Sequence, residues 1–183
     1  MVDLVRLVRT LGIALFLAAS LGCGLGSLVA DQEATRLQRE GLVLHNSGQY
    51  TEAADLFLEA ARVEGVSSDL RVRNLRNAGN AFYEARNFER AARLYGKAAD
   101  EAQEGTTFWY ACRADQHVLQ GDVPEAIALL ERAAAALPPS HEIANPLGLL
   151  LIGGHGTEFA DYERALVFNQ QAYELGLHAA TRP

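Results

Sequence analysis

Four times along the chain a small residue is followed twelve residues later by an alanine, and seven residues after that by another alanine. The sets are Gly41, Ala53 and Ala60; Gly79, Ala91 and Ala98; Ala114, Ala126 and Ala133; and Gly148, Ala165 and Ala172, the last with five extra residues before Ala165. Seven residues are close to two helical turns, so the two alanines of each set fall on one helix face. The stretch Gly79 to Ala99 shows the consequence most clearly. Ala78, Phe82 and Tyr83 form one apolar stripe, and Phe88, Ala91, Tyr95 and Ala98 form a second one beyond Arg86-Asn87. That spacing predicts two helices joined by a tight turn, with Asn87 suited to the left-handed backbone that closes a helix. The small residues let the paired helices approach closely, and a larger side chain there would overpack by about 1–3 kcal/mol.

The turn signals recur in phase with the small residues: Asn46-Ser47-Gly48-Gln49, Arg86-Asn87, Gln120-Gly121-Asp122, and a longer loop from Gly153 to Glu158. Pro138-Pro139 stops a helix between the third and fourth units, because proline cannot continue one. The units run over 34–67, 72–105, 107–140 and 141–175, with Ser68 to Arg71 as a linker and 176–183 as a tail. At 183 residues, with 49% apolar content and only five prolines, the chain can bury a core and matches no disordered or fibrous class.

A unit of about 34 residues with small residues at its eighth, twentieth and twenty-seventh positions resembles the tetratricopeptide repeat. Gly79, Ala91 and Ala98 carry the likeness best, and the third unit departs from it in having Ala114 for the first glycine. The resemblance implies an all-α fold, an α-solenoid of about four helical hairpins over 34–175, preceded by an N-terminal hydrophobic helix. It also implies a concave groove, lined by the first helix of each unit, that binds a protein or peptide partner. Carried over position by position, the groove residues are Gln38, Leu42 and His45; Arg73, Arg76, Asn80 and Tyr83; and Ala111, Asp115, Val118, Asn145 and Leu149. Arg76 and Asn80 lie four apart on one helix face, a spacing suited to holding a carboxylate or a peptide carbonyl together. The fuller carboxylate clamp of chaperone-binding relatives is incomplete, since Cys112, Glu142 and Pro146 stand at its other places.

Residues Leu11 to Ala30 carry no charge and follow Arg6 and Arg9, so residues 4–30 form an export or anchoring segment, within the N-terminal region 1–30. Its twenty residues span about 30 Å as a helix, the hydrocarbon thickness of a bilayer. Three readings compete. Ala14, Ala18, Gly22 and Gly26 give a small-residue stripe suited to an uncleaved transmembrane anchor. Ser20-Leu21-Gly22-Cys23 resembles a bacterial lipobox, which would lipidate Cys23, although Ser20 replaces the usual aliphatic residue. Ordinary signal cleavage is the third. All three place the domain in the periplasm or outside the cell, either membrane-anchored at the bacterial inner membrane or lipid-anchored.

The formal net charge of −7 argues against a nucleic-acid partner, which needs a basic surface. Charge is uneven, however. Asp69 to Lys97 holds seven basic residues against three acidic ones, about +4, whereas from Asp100 onward twelve acids face four arginines, about −8. The five histidines show no zinc-ligand spacing, and no nucleophile elbow, phosphate loop or zinc-protease motif occurs, so no catalytic residue, metal or cofactor is expected. His155, in Gly-Gly-His-Gly, is the one candidate for a hydrolase. Cys112 is expected to be a buried free thiol. After the last repeat helix the tail is short for covering Leu166, Phe168 and Tyr173, which makes the C-terminal repeat a candidate for self-association. The expected function is a non-catalytic, membrane-tethered scaffold that organises or assembles a cell-envelope complex. The alternative is a small accessory subunit of a membrane complex held mainly by its transmembrane helix.

Overall fold

The computed structural model describes residues 26–153 and 161–180, and among them every regular element is a helix. Helix α1 covers 26–46, followed by α2 (Tyr50–Arg62), α3 (Ser68–Glu84), α4 (Phe88–Glu101), α5 (Thr107–Gln120), α6 (Val123–Ala136), α7 (His141–Leu151) and α8 (Tyr162–Ala180). Of the apolar N-terminal segment, only 26–30 are described, and they open α1. The rest of it, with Cys23, lies outside the described residues, as does His155. The last helix continues through Ala180, so 176–180 extend α8 instead of forming a separate tail.

Three turns share one hydrogen-bonding pattern. The amide of Gly48 donates to His45 and that of Gln49 to Leu44; Arg86 donates to Tyr83 and Asn87 to Phe82; Gly121 donates to Val118 and Asp122 to His117. Each is a Schellman closure, with its left-handed residue at Gly48, Arg86 or Gly121. The left-handed residue of the second turn is therefore Arg86, at φ 60°, and not Asn87. Asn87 caps the next helix instead, its Oδ1 accepting from the Arg90 amide. Asp122 and Asp161 do the same for α6 and α8, and Ser140 caps α7. Even the longer fourth connection closes at its base, where the Asp161 amide donates to the Leu151 carbonyl over 2.7 Å.

Short closures make consecutive helices antiparallel, and from α2 onward each packs on the next. Helix α3 also packs on α5, and α5 on α7, so α3, α5 and α7 lie side by side. The recurring small residues sit where the helix pairs meet. A Cβ on Gly41 would stand 2.8 Å from the Phe57 ring, one on Gly79 2.6 Å from the Tyr95 ring, and one on Gly148 2.3 Å from Asn169 Oδ1. In the third pair Ala114 packs in the same core cluster as Leu130. The alanines of the repeating set, Ala53, Ala60, Ala91, Ala98, Ala126, Ala133, Ala165 and Ala172, are all buried. Phe88, expected on the buried stripe of α4, is 43% exposed and lies edge-on to Tyr83. Asn74 is fully buried with neither side-chain amide atom hydrogen-bonded, a local cost to the fold.

On α8, Leu166 and Tyr173 are 68% and 67% exposed, while Phe168 packs against the core shared by α5 to α8. Among the described residues no helix is long and apolar enough to cross a membrane.

Two glycines on adjacent helices separate close packing from helix propensity. Alanine is favoured over glycine within a helix by about 1 kcal/mol. At Gly96 a new Cβ would meet only the Gln116 amide, at 3.3 Å. Gly96→Ala is expected to raise unfolding stability by about 0.5–1 kcal/mol. At Gly79 the Cβ meets a buried ring that is held in place by a hydrogen bond from its hydroxyl to Asn80. Gly79→Ala is expected to lower stability by about 1–2 kcal/mol, the overpacking cost outweighing the propensity gain. Urea denaturation of both variants measures the two signs.

Candidate functional site

The side-by-side odd helices leave a groove of about 330 Å³. His45 of α1, Asn80 and Tyr83 of α3, Asp115 and Val118 of α5, and Asn145 and Leu149 of α7 line it together with Arg76. Stripes at three- and four-residue spacing on each helix put these side chains on one face. Gln38, Leu42 and Arg73, expected in the groove, are not among its lining residues. Arg73 is exposed, with its guanidinium over the Phe108 ring, 5.2 Å from the centroid. Ala111 is fully buried in the core below.

Arg76 and Asn80 are both engaged within the chain. Arg76 Nε donates to Asp115 Oδ2 over 2.7 Å, joining α3 to α5, and the two side chains are only 13% and 18% exposed. Burial pulls the guanidinium toward its neutral form, but the Asp115 charge and hydrogen bond outweigh that and hold its pKa above the ordinary value. Asn80 Oδ1 accepts the Tyr95 hydroxyl proton over 2.8 Å. Burial raises the Tyr95 pKa above the usual phenol range, so that hydroxyl stays a donor. The carboxylate that Arg76 holds is thus the protein's own. What remains open to a ligand is the Asn80 amide nitrogen, the Tyr83 and His45 rings and the apolar surface of Val118 and Leu149. His45 and Tyr83 are braced from the side, by edge contacts to Tyr50 and Phe88 at 5.2 and 5.4 Å.

Glu84, Tyr95, Leu119, Leu130, Pro146 and Leu150 also line the groove. Two of them had a signal in the sequence. Tyr95 and Leu130 each follow the small residue of their pair by sixteen positions, as Phe57 follows Gly41, so they reach across the helix contact. Glu84 follows Asn80 by four and continues its stripe. Pro146, inside α7, carries no comparable signal.

Cys112 is fully buried among Val72, Leu75, Ala98 and Ala99, and burial pushes its thiol up to about 12. Among the described residues no group of histidine, cysteine and acidic side chains is placed to hold a metal ion.

No family model matches the chain, and no curated protein matches it. Fold and groove define the class: an all-α protein of successively packed helices whose odd-numbered members present a shared, largely internally neutralised face.

Two outcomes follow from these contacts. Asp115→Ala leaves the Arg76 guanidinium buried without its anion, and is expected to destabilise the fold by about 3 kcal/mol. Denaturant unfolding checks this; a change below about 1 kcal/mol would show the pair to be dispensable. In a Cys23→Ser chain, Cys112 is expected to react with a thiol reagent at neutral pH only as the protein unfolds, because the thiol is sealed in the core and burial disfavours its thiolate. Modification of the native fold at the rate of the denatured chain would contradict the burial.

Proposed function

We propose that the chain is a tetratricopeptide-like scaffold, an α-solenoid of four helical hairpins that binds a protein or peptide partner in the groove of its odd-numbered helices. In this reading it has no catalytic role. The N-terminal segment tethers it to the bacterial envelope, with the domain on the periplasmic or extracellular side, and the groove gathers components of an envelope complex.

One observation carries the reading. The recurring small residues pack against a larger side chain sixteen positions on, Phe57, Tyr95 or Leu130, or against Asn169 twenty-one on in the fourth unit, and the helices they join leave a groove on one side of the stack. Hairpins repeated in this way suit binding of an extended chain, because equivalent side chains recur along its length. Within the groove, Tyr83 and Leu149 offer apolar anchors, and the Asn80 amide and Asn145 offer hydrogen bonds to a peptide backbone. The groove's strongest charges are spent on each other at Arg76 and Asp115, which favours a partner of mixed polarity over a strongly acidic one.

The test compares what copurifies with the full chain from detergent-solubilised membranes. Leu149 is 53% exposed, so Leu149→Ala combined with Tyr83→Ala is expected to preserve the melting temperature within a few degrees while weakening retention of the partner about tenfold or more. If the double variant keeps the partner and Gly22→Leu loses it, the contact runs through the N-terminal segment and the groove reading is wrong.

A further inference from the structure

A second crevice, of about 290 Å³, lies between α2 and α4 and shares no lining residue with the groove. Leu58, Leu75, Phe82 and Leu94 supply apolar lining, and five cations surround them: Arg62 from α2, Arg71 from α3, and Arg90, Arg93 and Lys97 from α4. The only acidic lining residue is Asp55. Even counting Glu89 and Glu101, which pair with Arg93 and Lys97, a protein whose formal net charge is −7 gathers a local excess of two positive charges around one partly apolar recess.

The cations are also poorly neutralised. Arg76, Arg113 and Arg164 are each tied to a carboxylate of another helix, Asp115, Asp100 and Glu131. In the crevice, Arg93 and Lys97 have only exposed partners one turn along their own helix, Glu89 at 2.9 Å and Glu101 at 3.8 Å. Such pairs exchange readily for another anion. Arg90 lies over the Phe82 ring, 5.2 Å from its centroid. The Arg71 Nε is sealed from solvent with no hydrogen-bond partner, and the Arg62 side chain makes neither hydrogen bond nor ion pair. Like charges repel more strongly beside apolar surface than in open water, and a buried donor without an acceptor is a cost. One bound oxyanion relieves both.

We propose that this crevice binds a multiply charged phosphate group, with the non-polar part of the same ligand lying over Leu58, Leu75 and Leu94. A single carboxylate brings one charge, whereas a phosphate monoester or diphosphate offers more charge and several acceptor oxygens in the geometry that guanidinium forks match. The volume suits a small organic phosphate or one lipid headgroup. The site is independent of the groove and of the partner it takes.

Thermal unfolding of the full chain in detergent tests the proposal with inorganic pyrophosphate, against sodium chloride and citrate at equal ionic strength. Pyrophosphate at saturation is expected to raise the melting temperature by roughly 5 °C beyond the chloride control. Arg62 and Arg93 are exposed, so the Arg62→Gln, Arg93→Gln pair is expected to fold as the native chain does and to lose most of the shift. Arg73→Gln, outside the crevice, is expected to keep it. Reconstitution with phosphatidylcholine vesicles, with and without phosphatidic acid, whose phosphate monoester carries more than one charge, separates the sources. A shift with soluble pyrophosphate assigns a free phosphate compound; a shift only with the anionic vesicles, lost in the same pair variant, assigns a headgroup. No shift in either arm, an equal response to citrate, or a shift that survives in the pair variant overturns the proposal.

Discussion

Contact between paired helices at a missing side chain is the constraint from which the rest of this structure follows. Where Gly41 faces Phe57 and Gly79 faces Tyr95, an aromatic ring occupies the space that a Cβ would need. The ring then fills the interface and locks the rotation of one helix against the other, because an aromatic ring has few orientations in a closely packed site. With that rotation set, the alanines at positions such as 53, 91 and 126 point into the core and the odd-numbered helices turn a defined stripe outward. Close approach within the pairs thus determines which residues can reach the groove.

Between pairs, the Arg76–Asp115 contact does a different job. It ties α3 to α5 across thirty-nine residues of sequence, at a level where both side chains are mostly withdrawn from water. A buried ion pair of this kind is weak evidence for net stability, since desolvation offsets much of the attraction, but it penalises any register of the two helices that separates the charges. The same contact changes the chemistry of the groove. An arginine that looks free to recognise a partner's carboxylate is already occupied, and recognition is left to aromatic, aliphatic and amide groups around it.

Much of this was legible in the sequence because the determining interactions are local or periodic. The turn positions and the buried alanines follow from spacing and from the backbone preferences of glycine and proline. Three things were not. The second turn places Arg86 in the left-handed conformation because the Schellman register is set by the preceding helix, and Asn87 is needed one position later as a cap. Phe88, the first residue of α4, is 43% exposed with an edge contact to Tyr83, whereas Val123, the first residue of α6, is buried, a difference that periodicity alone does not register. Arg76 and Asn80 had the right address but lacked a visible partner, since pairing with Asp115 and Tyr95 depends on helices that meet only in the stack.

Charge shows the same limit from the other side. The basic excess between Asp69 and Lys97 was plain in the sequence, where its simplest reading is a solvated helix surface. Packing divides that excess into two populations. Arg76 turns toward the odd-numbered helices and is neutralised by Asp115, and Arg73 rests on Phe108. Arg71, Arg90, Arg93 and Lys97 turn toward α2 and gather with Arg62 around a recess whose one acidic lining residue is Asp55, with Glu89 and Glu101 meeting Arg93 and Lys97 from outside it. A net charge summed along the chain cannot distinguish these cases, because it ignores which charges face each other. The two crevices therefore differ in kind: the groove's arginine is matched by its own aspartate, whereas the recess between α2 and α4 keeps an excess of positive charge.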